Sequence, residues 1–493
     1  MQTTLRTREL PTWLRRVPFR REWLLLLPAA WVAWWAGSAV TTGGLSRFLA
    51  IVLAGGAVLV PFLVAVIGPR VKPGFISVEL PVLLILIAEL VLRRRDAEQL
   101  ASNPLDPAGM YRVACIGLAL LLGMLALASS AGRVRGRIST RPFRLYCLYV
   151  FVVFIGAPLS INLLLTTYRG VELLAGLVAV AGAYRRVGEE SAERILSVIY
   201  WFLVVSAIPI WFEAVILPGS AFIHVDSPFP IQLRGVFPAV SANGTGLLGV
   251  TIALWSLAKL LSPRDRGAVS VRSLRAFTLL GFATLILAQY RTGYIAAGVG
   301  LLLLIALRAR GAAIWVMVAG IIVASVWGAQ IGQRAAPVLQ RGAQPQVLRR
   351  LSGRIDWWSD AIPVWRESPL FGRGLLTGTR FEVLAKIGQG GVSTIHGTWI
   401  EALVGTGLVG LGLLAASVLV AAARALREAV RPDGRIVPLV LLTILLIRSL
   451  TGPTFEVAGG ASVQFLAIAL LLRDPQPFWS RDRGSRISLP ASF

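Results

Sequence analysis

The stretch Ile195-Leu-Ser-Val-Ile-Tyr-Trp-Phe-Leu-Val-Val-Ser-Ala-Ile-Pro-Ile-Trp-Phe-Glu-Ala-Val-Ile-Leu217 contains a single charged side chain, Glu213. About 20 apolar residues suffice to carry a helix across the hydrocarbon core of a bilayer. Comparable runs lie on both sides of it, at 23–41, 46–68, 75–92, 111–130, 145–165, 169–184, 238–261, 276–290, 291–308, 313–331, 397–423, 436–452 and 459–472, which makes fourteen candidate helices. The runs 169–184 and 276–290 are short, as tilted pairs or re-entrant segments would be. Residues 280–308 also read as one long span broken at Gln289-Tyr290-Arg291. The composition agrees. Of 493 residues, 56% are hydrophobic and 15% charged, with a mean hydropathy of +0.73, against about 25% charged in soluble domains. A soluble enzyme is excluded. The expected fold class is an all-α polytopic membrane protein of about 12–14 transmembrane helices with one long extracytoplasmic loop.

Lys and Arg number 49 against 24 Asp and Glu, a net charge of +25. In a soluble chain this would point to nucleic acid. In a polytopic one it reflects basic residues gathered in cytoplasmic loops, so the expected partner is the lipid bilayer and no nucleic acid. With residues 1–22 inside and fourteen crossings, 31 basic residues fall inside and 18 outside, nine of these in the one long segment 332–396. Long loops are weak witnesses for orientation. Both termini are therefore expected in the cytoplasm, and the chain in the cytoplasmic membrane. Arg93-Arg94-Arg95 are the misfit. Ala36-Gly-Ser-Ala39 looks like a cleavage site, but Trp31, Trp34, Trp35 and thirteen further spans favour an uncleaved helix. The organisation reads as a basic N-terminus (1–22), N-terminal helices (23–194), central helices (195–331), the long loop (332–396), C-terminal helices (397–472) and a tail (473–493). Cys115 and Cys147 lie in apolar runs and read as packing residues.

Few side chains can carry chemistry. The two histidines are His224 and His396. His396 stands where the long loop meets the next helix, and imidazole is the side chain best suited to move a proton near neutral pH. The alternative is a helix-start histidine satisfied by a loop carbonyl. His224, in Phe222-Ile-His-Val-Asp226, is the weaker candidate. Arginines at the same face are Arg234, Arg291, Arg334, Arg341, Arg349, Arg350, Arg354, Arg366, Arg373 and Arg380. Arg291 lies between two apolar runs, at membrane level, where ionisable groups are costly and usually functional. A guanidinium fork suits phosphate oxygens; the alternative is a snorkelling side chain. The loop holds nine basic and four acidic residues, which favours an anionic substrate, and its Trp357, Trp358, Trp365, Phe371 and Phe381 predict that it folds down onto the helices. There is no P-loop, Gly-rich dinucleotide turn or His/Cys metal cluster, so no metal and no cofactor is expected. Asp96-Ala-Glu98 is the nearest two-acid pattern for a metal-dependent transferase. Glu79, Glu89, Glu172 and Glu213 form a proton path or, more commonly, pair within the bundle. No internal repeat is visible, which counts against a transporter.

Three segments resemble the O-antigen ligase and polymerase superfamily, the Wzy C-terminal domain group. Arg234-Gly-Val-Phe-Pro-Ala-Val-Ser-Ala-Asn243-Gly is like the family's Arg-x-x-Gly-x-x-x-Asn-Pro-Asn run. Gln289-Tyr-Arg-Thr-Gly-Tyr294 is like its Ser-Arg-x-Gly. Arg354-Ile-Asp-Trp-Trp-Ser-Asp-Ala-Ile-Pro-Val-Trp-Arg-Glu-Ser-Pro-Leu-Phe-Gly-Arg-Gly374 resembles Arg…Trp…Pro-Leu-x-Gly-x-Gly, and His396 opens a stretch similar to His-Asn-x-Tyr-Leu-x-x-Leu-x-Glu-x-Gly-Leu-x-Gly. The likeness covers roughly 195–425 and is specific mainly from 289 to 410. Gly397 stands where Asn is usual, Gly405 where Glu is common and Tyr290 where Ser is common. Glu401, four residues before Gly405, is a candidate replacement acid, although the two positions are expected to face different ways.

The resemblance implies a GT-C-like bundle and a metal-independent, inverting glycosyltransferase at the outer face of the cytoplasmic membrane. The donor would be a polyprenyl-diphosphate-linked glycan, and the acceptor a hydroxyl of a glycan, a lipid or a protein. His396 would be the general base. Arg291, Arg354 and Arg234 would hold the diphosphate, with Arg366, Arg373 and Glu401 as secondary candidates. The competing reading is a lipid-linked glycan flippase or polysaccharide exporter, which also needs cations in a membrane cavity. A peptidoglycan polymerase of the SEDS kind would use a similar donor, but its motif pattern is not visible.

Overall fold

A computed structural model describes residues 74–90, 107–129, 138, 140–225, 229–308, 354–387, 394–431 and 433–472. The runs 23–41, 46–68 and 313–331, Arg93 to Arg95, Asp96-Ala-Glu98 and both ends of the chain lie outside the described residues. The helices in chain order are α1 (Phe75–Ala88), α2 (Pro107–Ser129), α3 (Arg141–Gly156), α4 (Leu163–Val187), α5 (Glu190–Ile216), α6 (Ala242–Leu261), α7 (Val271–Ala288), α8 (Arg291–Arg308), α9 (Arg354–Glu367), α10 (Thr398–Val430), α11 (Val437–Ser449) and α12 (Gly460–Leu471). Eight of them are long and apolar enough to cross a membrane by length and composition. The chain is an all-α polytopic membrane protein.

Each apolar run that falls on described residues is a helix, but three boundaries differ from the sequence reading. The run 169–184 is the middle of the 25-residue α4. It starts early because the Asn162 side chain accepts from Leu165 N at 2.9 Å and caps the helix. The run 276–290 is the 18-residue α7, which begins at Val271, and the run 291–308 is a separate helix, α8, as counted, not the continuation of one long span. Gln289 ends α7 in a left-handed conformation (φ 50°), held there because its Nε2 donates to Phe229 O at 2.9 Å and Ile231 O at 2.6 Å. Those carbonyls belong to a short hairpin, β1 (Phe222–His224) against β2 (Ile231–Leu233). The last two runs give helices of only 13 and 12 residues, shorter than a full span needs. Gly452 and Pro453 stop α11, since a residue before proline is pushed out of the helical region, and a buried turn with Phe455 and Glu456 follows.

The bundle has two distinct ends. At one end Arg264 reaches Asp433 O, Arg308 reaches Gly434 O, Asp265 caps Ile436 N and Arg435 bonds Glu193. These segments are the ones expected inside. At the other end Ser160 bonds Thr377, Gln289 holds the hairpin, Thr292 bonds Thr451 and Glu89 accepts from Gly460 N. Thr377 and the hairpin lie in segments expected outside, and the other residues lie at or near the outer ends of the expected spans. Without a hydrophobic drive between helices in lipid, close packing relies on small residues. Gly249 and Gly281 let α6 and α7 touch backbone to backbone, because a Cβ on Gly249 would lie 2.7 Å from Gly281 O. The embedded acids are partnered: Glu79 by Arg194 at 2.6 Å, Glu172 by Arg112 and Arg169, and Glu213 by the N–H groups of Val236 and Phe237.

One break in α10 organises the site end. Gly407 has φ 65°, ψ −168° inside the helix, a backbone that an L side chain rarely adopts. The break frees carbonyls above it and N–H groups below it, and Pro369 to Gly374 fills the gap. Arg373 N donates to Val404 O (2.8 Å), Gly374 N to Gly405 O (3.1 Å), Leu408 N to Pro369 O (2.8 Å) and Val409 N to Leu370 O (3.2 Å). The Pro-Leu-Phe-Gly-Arg-Gly motif is therefore a strap across a broken helix, which satisfies two carbonyls and two N–H groups at the break. The loop does fold down, and Ala361, Val364, Val383, Leu384, Ile395 and Val404 form a small core of their own beneath Trp357, Trp358 and Trp365.

Candidate functional site

Three helices start at the site end, each with a candidate residue at its first turn or just before it. Arg291 is the first residue of α8, Arg354 is the first of α9, and His396 precedes α10 by two residues. Helix N-termini carry partial positive charge and unpaired N–H groups, which favour anions. The Arg354 charge acts on Tyr290, the neighbour of Arg291, and on His396. The Trp357 ring, one turn along α9, stacks on the imidazole with centroids 6.1 Å apart.

His396 is half-buried and has φ 54°. Residues other than glycine held there store about 1–3 kcal/mol, and such positions cluster at functional sites. The preceding residue is gripped from two sides. Ile395 N donates to Glu401 Oε2 at 3.4 Å, and Ile395 O accepts from Trp358 Nε1 at 3.1 Å. Thr398, just beyond, donates to Gly452 O at 3.1 Å. Burial, and then the Arg354 charge, push the His396 pKa below its ordinary value. The imidazole is thus neutral at pH 7 and has a free lone pair, the form a general base needs.

Glu401 and Gly405 do not face different ways. Four residues turn a helix by about 400°, within 40° of a full turn, and both positions meet the strap and the π-helical segment after it. Thr379 donates to Glu401, while a Cβ on Gly405 would sit 2.8 Å from Leu375 Cα. A side chain at 405 has no room, and the buried acid comes from 401 instead. Gly397 has a similar cause: a Cβ there would lie 3.2 Å from both Cζ2 and Nε1 of Trp358. The indole occupies the space into which an asparagine side chain would extend.

The remaining candidates are spread out. Arg234 follows β2, and its Nε donates to Ser220 O at 3.0 Å, which places it at the hairpin beside the end of α7. Arg366 is exposed at the far end of α9, about 18 Å along the axis from Arg354 at 1.5 Å per residue. Arg373 is tied to Glu382 at 3.0 Å and to Glu367 at 3.5 Å, and its charge is stabilised by the Glu382 hydrogen bond. His224 is exposed on β1. Sequence reasoning missed Trp358, Thr379 and Arg169. Trp358 is part of the quoted motif, but nothing in it says that the indole N–H seeks Ile395. Among the described residues no group of three or more His, Cys, Asp or Glu is placed to hold a metal ion.

Residues 276–415 match the family model described as O-antigen ligase. The matched segment starts in α7, contains Arg291, Arg354 and His396, and ends in α10 just past the break. No curated protein matches the chain. Fold, site and match together support a membrane glycan ligase or polymerase in general.

Proposed function

We propose that the chain transfers a glycan from a polyprenyl diphosphate to an acceptor hydroxyl at the outer face of the cytoplasmic membrane. The observation that carries this reading is the meeting of the α9 start with the turn before α10: Trp357, one turn beyond Arg354, stacks on the His396 ring, and the Arg354 charge acts on both Tyr290 and His396. It joins an anion site made of two arginines at two helix N-termini to a neutral, strained histidine. The acceptor oxygen attacks the anomeric carbon as the carbon–oxygen bond to phosphate breaks, and the configuration inverts. His396 takes the hydroxyl proton, and the electron pair leaves with the diphosphate. Arg291 and Arg354 stabilise the charge that builds on it, an effect that is typically a few kcal/mol for donors aimed at developing charge. Arginines can neutralise the leaving group without a metal. An apolar groove of about 320 Å³ runs between α8 and α11, lined by Thr292, Ile295, Val299, Leu446, Ile447 and Leu450. It begins one residue from Arg291 and suits a lipid tail.

The test is transfer in membranes at matched protein levels. His396→Ala should lower kcat by about 10²–10⁴ and leave donor binding intact, whereas Arg291→Lys should weaken donor use. Normal transfer by correctly inserted His396→Ala would reject the base and favour a transport path. The product left in a deletion strain separates the acceptors: single repeat units mark a lost polymerase, and long chains on the carrier lipid a lost ligase.

A further inference from the structure

A second group of arginines lies at the same end of the bundle. The turn between α3 and α4 meets a π-helix (Gly378–Leu384) that follows the strap; π-turns are frequent at functional sites. Thr166 Oγ1 and Thr377 Oγ1 are 2.8 Å apart, and Ser160 Oγ bonds both, at 2.6 and 2.8 Å. Three residues beyond each threonine stands an arginine, Arg169 on α4 and Arg380 on the π-helix. The pinned junction brings the two guanidinium groups into each other's field.

Their charge is under-compensated. Glu172, 1% exposed, serves Arg169 (Nη1–Oε2, 2.7 Å) and Arg112 (Nε–Oε1, 2.7 Å) at once. The Nε of Arg169 is buried with no hydrogen-bond partner. Arg380 is half-buried and has no carboxylate partner among the described residues. The centre of the Phe381 ring lies 5.5 Å from its guanidinium carbon. Like charges are brought together in a partly buried place only where something anionic resolves them. This group is separate from the first. It stands on α4 and the π-helix, whereas Arg291 and Arg354 stand on α8 and α9, and Arg169 acts on Glu401, the residue that holds Ile395.

We propose that Arg169 and Arg380 form a second anion-binding subsite, which takes a phosphate or carboxylate group of the acceptor and so presents its hydroxyl to His396. The assignment to the acceptor rests on reading Arg291 and Arg354 as the donor's subsite, since the donor's diphosphate is then already held.

The test uses the purified full chain in phosphatidylcholine nanodiscs, titrated with inorganic pyrophosphate by calorimetry. Two sites are expected. Arg354→Gln should remove one, and Arg380→Gln should weaken the other about tenfold, the effect of losing one charge-assisted hydrogen bond. Arg380→Lys, which keeps the charge, should recover part of that loss and shows that the fold is intact. A single site, removed by Arg354→Gln and indifferent to Arg380→Gln, overturns the subsite and leaves the donor reading standing. Two sites of which Arg354→Gln removes neither keep the subsite but overturn the donor reading. If phosphatidylglycerol in the nanodisc abolishes the Arg380-dependent site, the ligand is a lipid headgroup and the acceptor assignment fails. With acceptor lipid extracted from cells that lack the chain, Arg380→Gln should raise the acceptor KM about tenfold at unchanged donor KM; an unchanged acceptor KM also overturns the assignment.

Discussion

Replacing Trp358 by Phe, alone and together with Gly397→Asn, tests how the candidate base is held. His396 sits at φ 54°, a strain of about 1–3 kcal/mol. Three contacts oppose it: the Glu401 carboxylate on Ile395 N, the Trp358 indole on Ile395 O, and Thr398 on Gly452 O. Trp358→Phe deletes the second, worth about 0.5–1.5 kcal/mol, which is comparable with the strain. Each 1.4 kcal/mol is about tenfold in rate. kcat should therefore fall roughly two- to tenfold while the donor KM stays unchanged. Gly397→Asn places a Cβ 3.2 Å from the indole nitrogen and pushes the ring off its carbonyl, a steric cost of about 1–3 kcal/mol. Both changes strike one contact. The double variant should then lose less than the two singles summed, with a coupling of about 0.5–3 kcal/mol. The assay is kcat and KM for the four chains at matched membrane levels. Strict additivity, or Trp358→Phe at the wild-type rate, would refute the view that the indole holds the base.

A pH profile at saturating donor should be flat near neutrality and fall on the acid side below the ordinary histidine range, because burial and Arg354 depress the His396 pKa. Arg354→Gln removes a positive neighbour, stabilises the imidazolium and should move that acid limb to higher pH; a limb that stays in place shows that His396 does not govern it. Transfer should survive EDTA, and loss that Mg²⁺ or Mn²⁺ restores would shift attention to Asp96 and Glu98. Gly407→Ala should destabilise the detergent-solubilised protein by several degrees in Tm, since a Cβ would lie 2.3 Å from Leu370 backbone atoms at a φ that itself costs roughly 1–2 kcal/mol. A reporter fused after Phe493 should be active only in the cytoplasm, as the charge asymmetry requires.

The proposed reaction would place three demands on the chain. A donor's phosphates would need cations that do not exchange protons, which arginine supplies. A base would need to be neutral, and the Arg354 charge is one that depresses the His396 pKa. An acceptor would need a subsite of its own, which the further proposal puts at Arg169 and Arg380.

The apolar runs on the described residues and the uneven distribution of arginine could be read directly, because helix length against bilayer thickness and loop charge are properties of contiguous residues. Arg291, Arg354 and His396 could be singled out as candidates from their places beside the apolar runs. Their convergence could not. Arg354 and His396 are 42 positions apart, and their segments are joined by Trp357, which stacks on His396, and Trp358, which donates to Ile395 O. The folded chain also decided which arginines are already engaged. Glu382 ties Arg373, and the Ser220 carbonyl accepts from Arg234, while three hydroxyls pin α4, which carries Arg169, to the segment that carries Arg380. Charge and hydrophobicity act locally and leave a mark in composition. The contacts that select among like residues are made between distant segments, and they exist only once the backbone has brought those segments together.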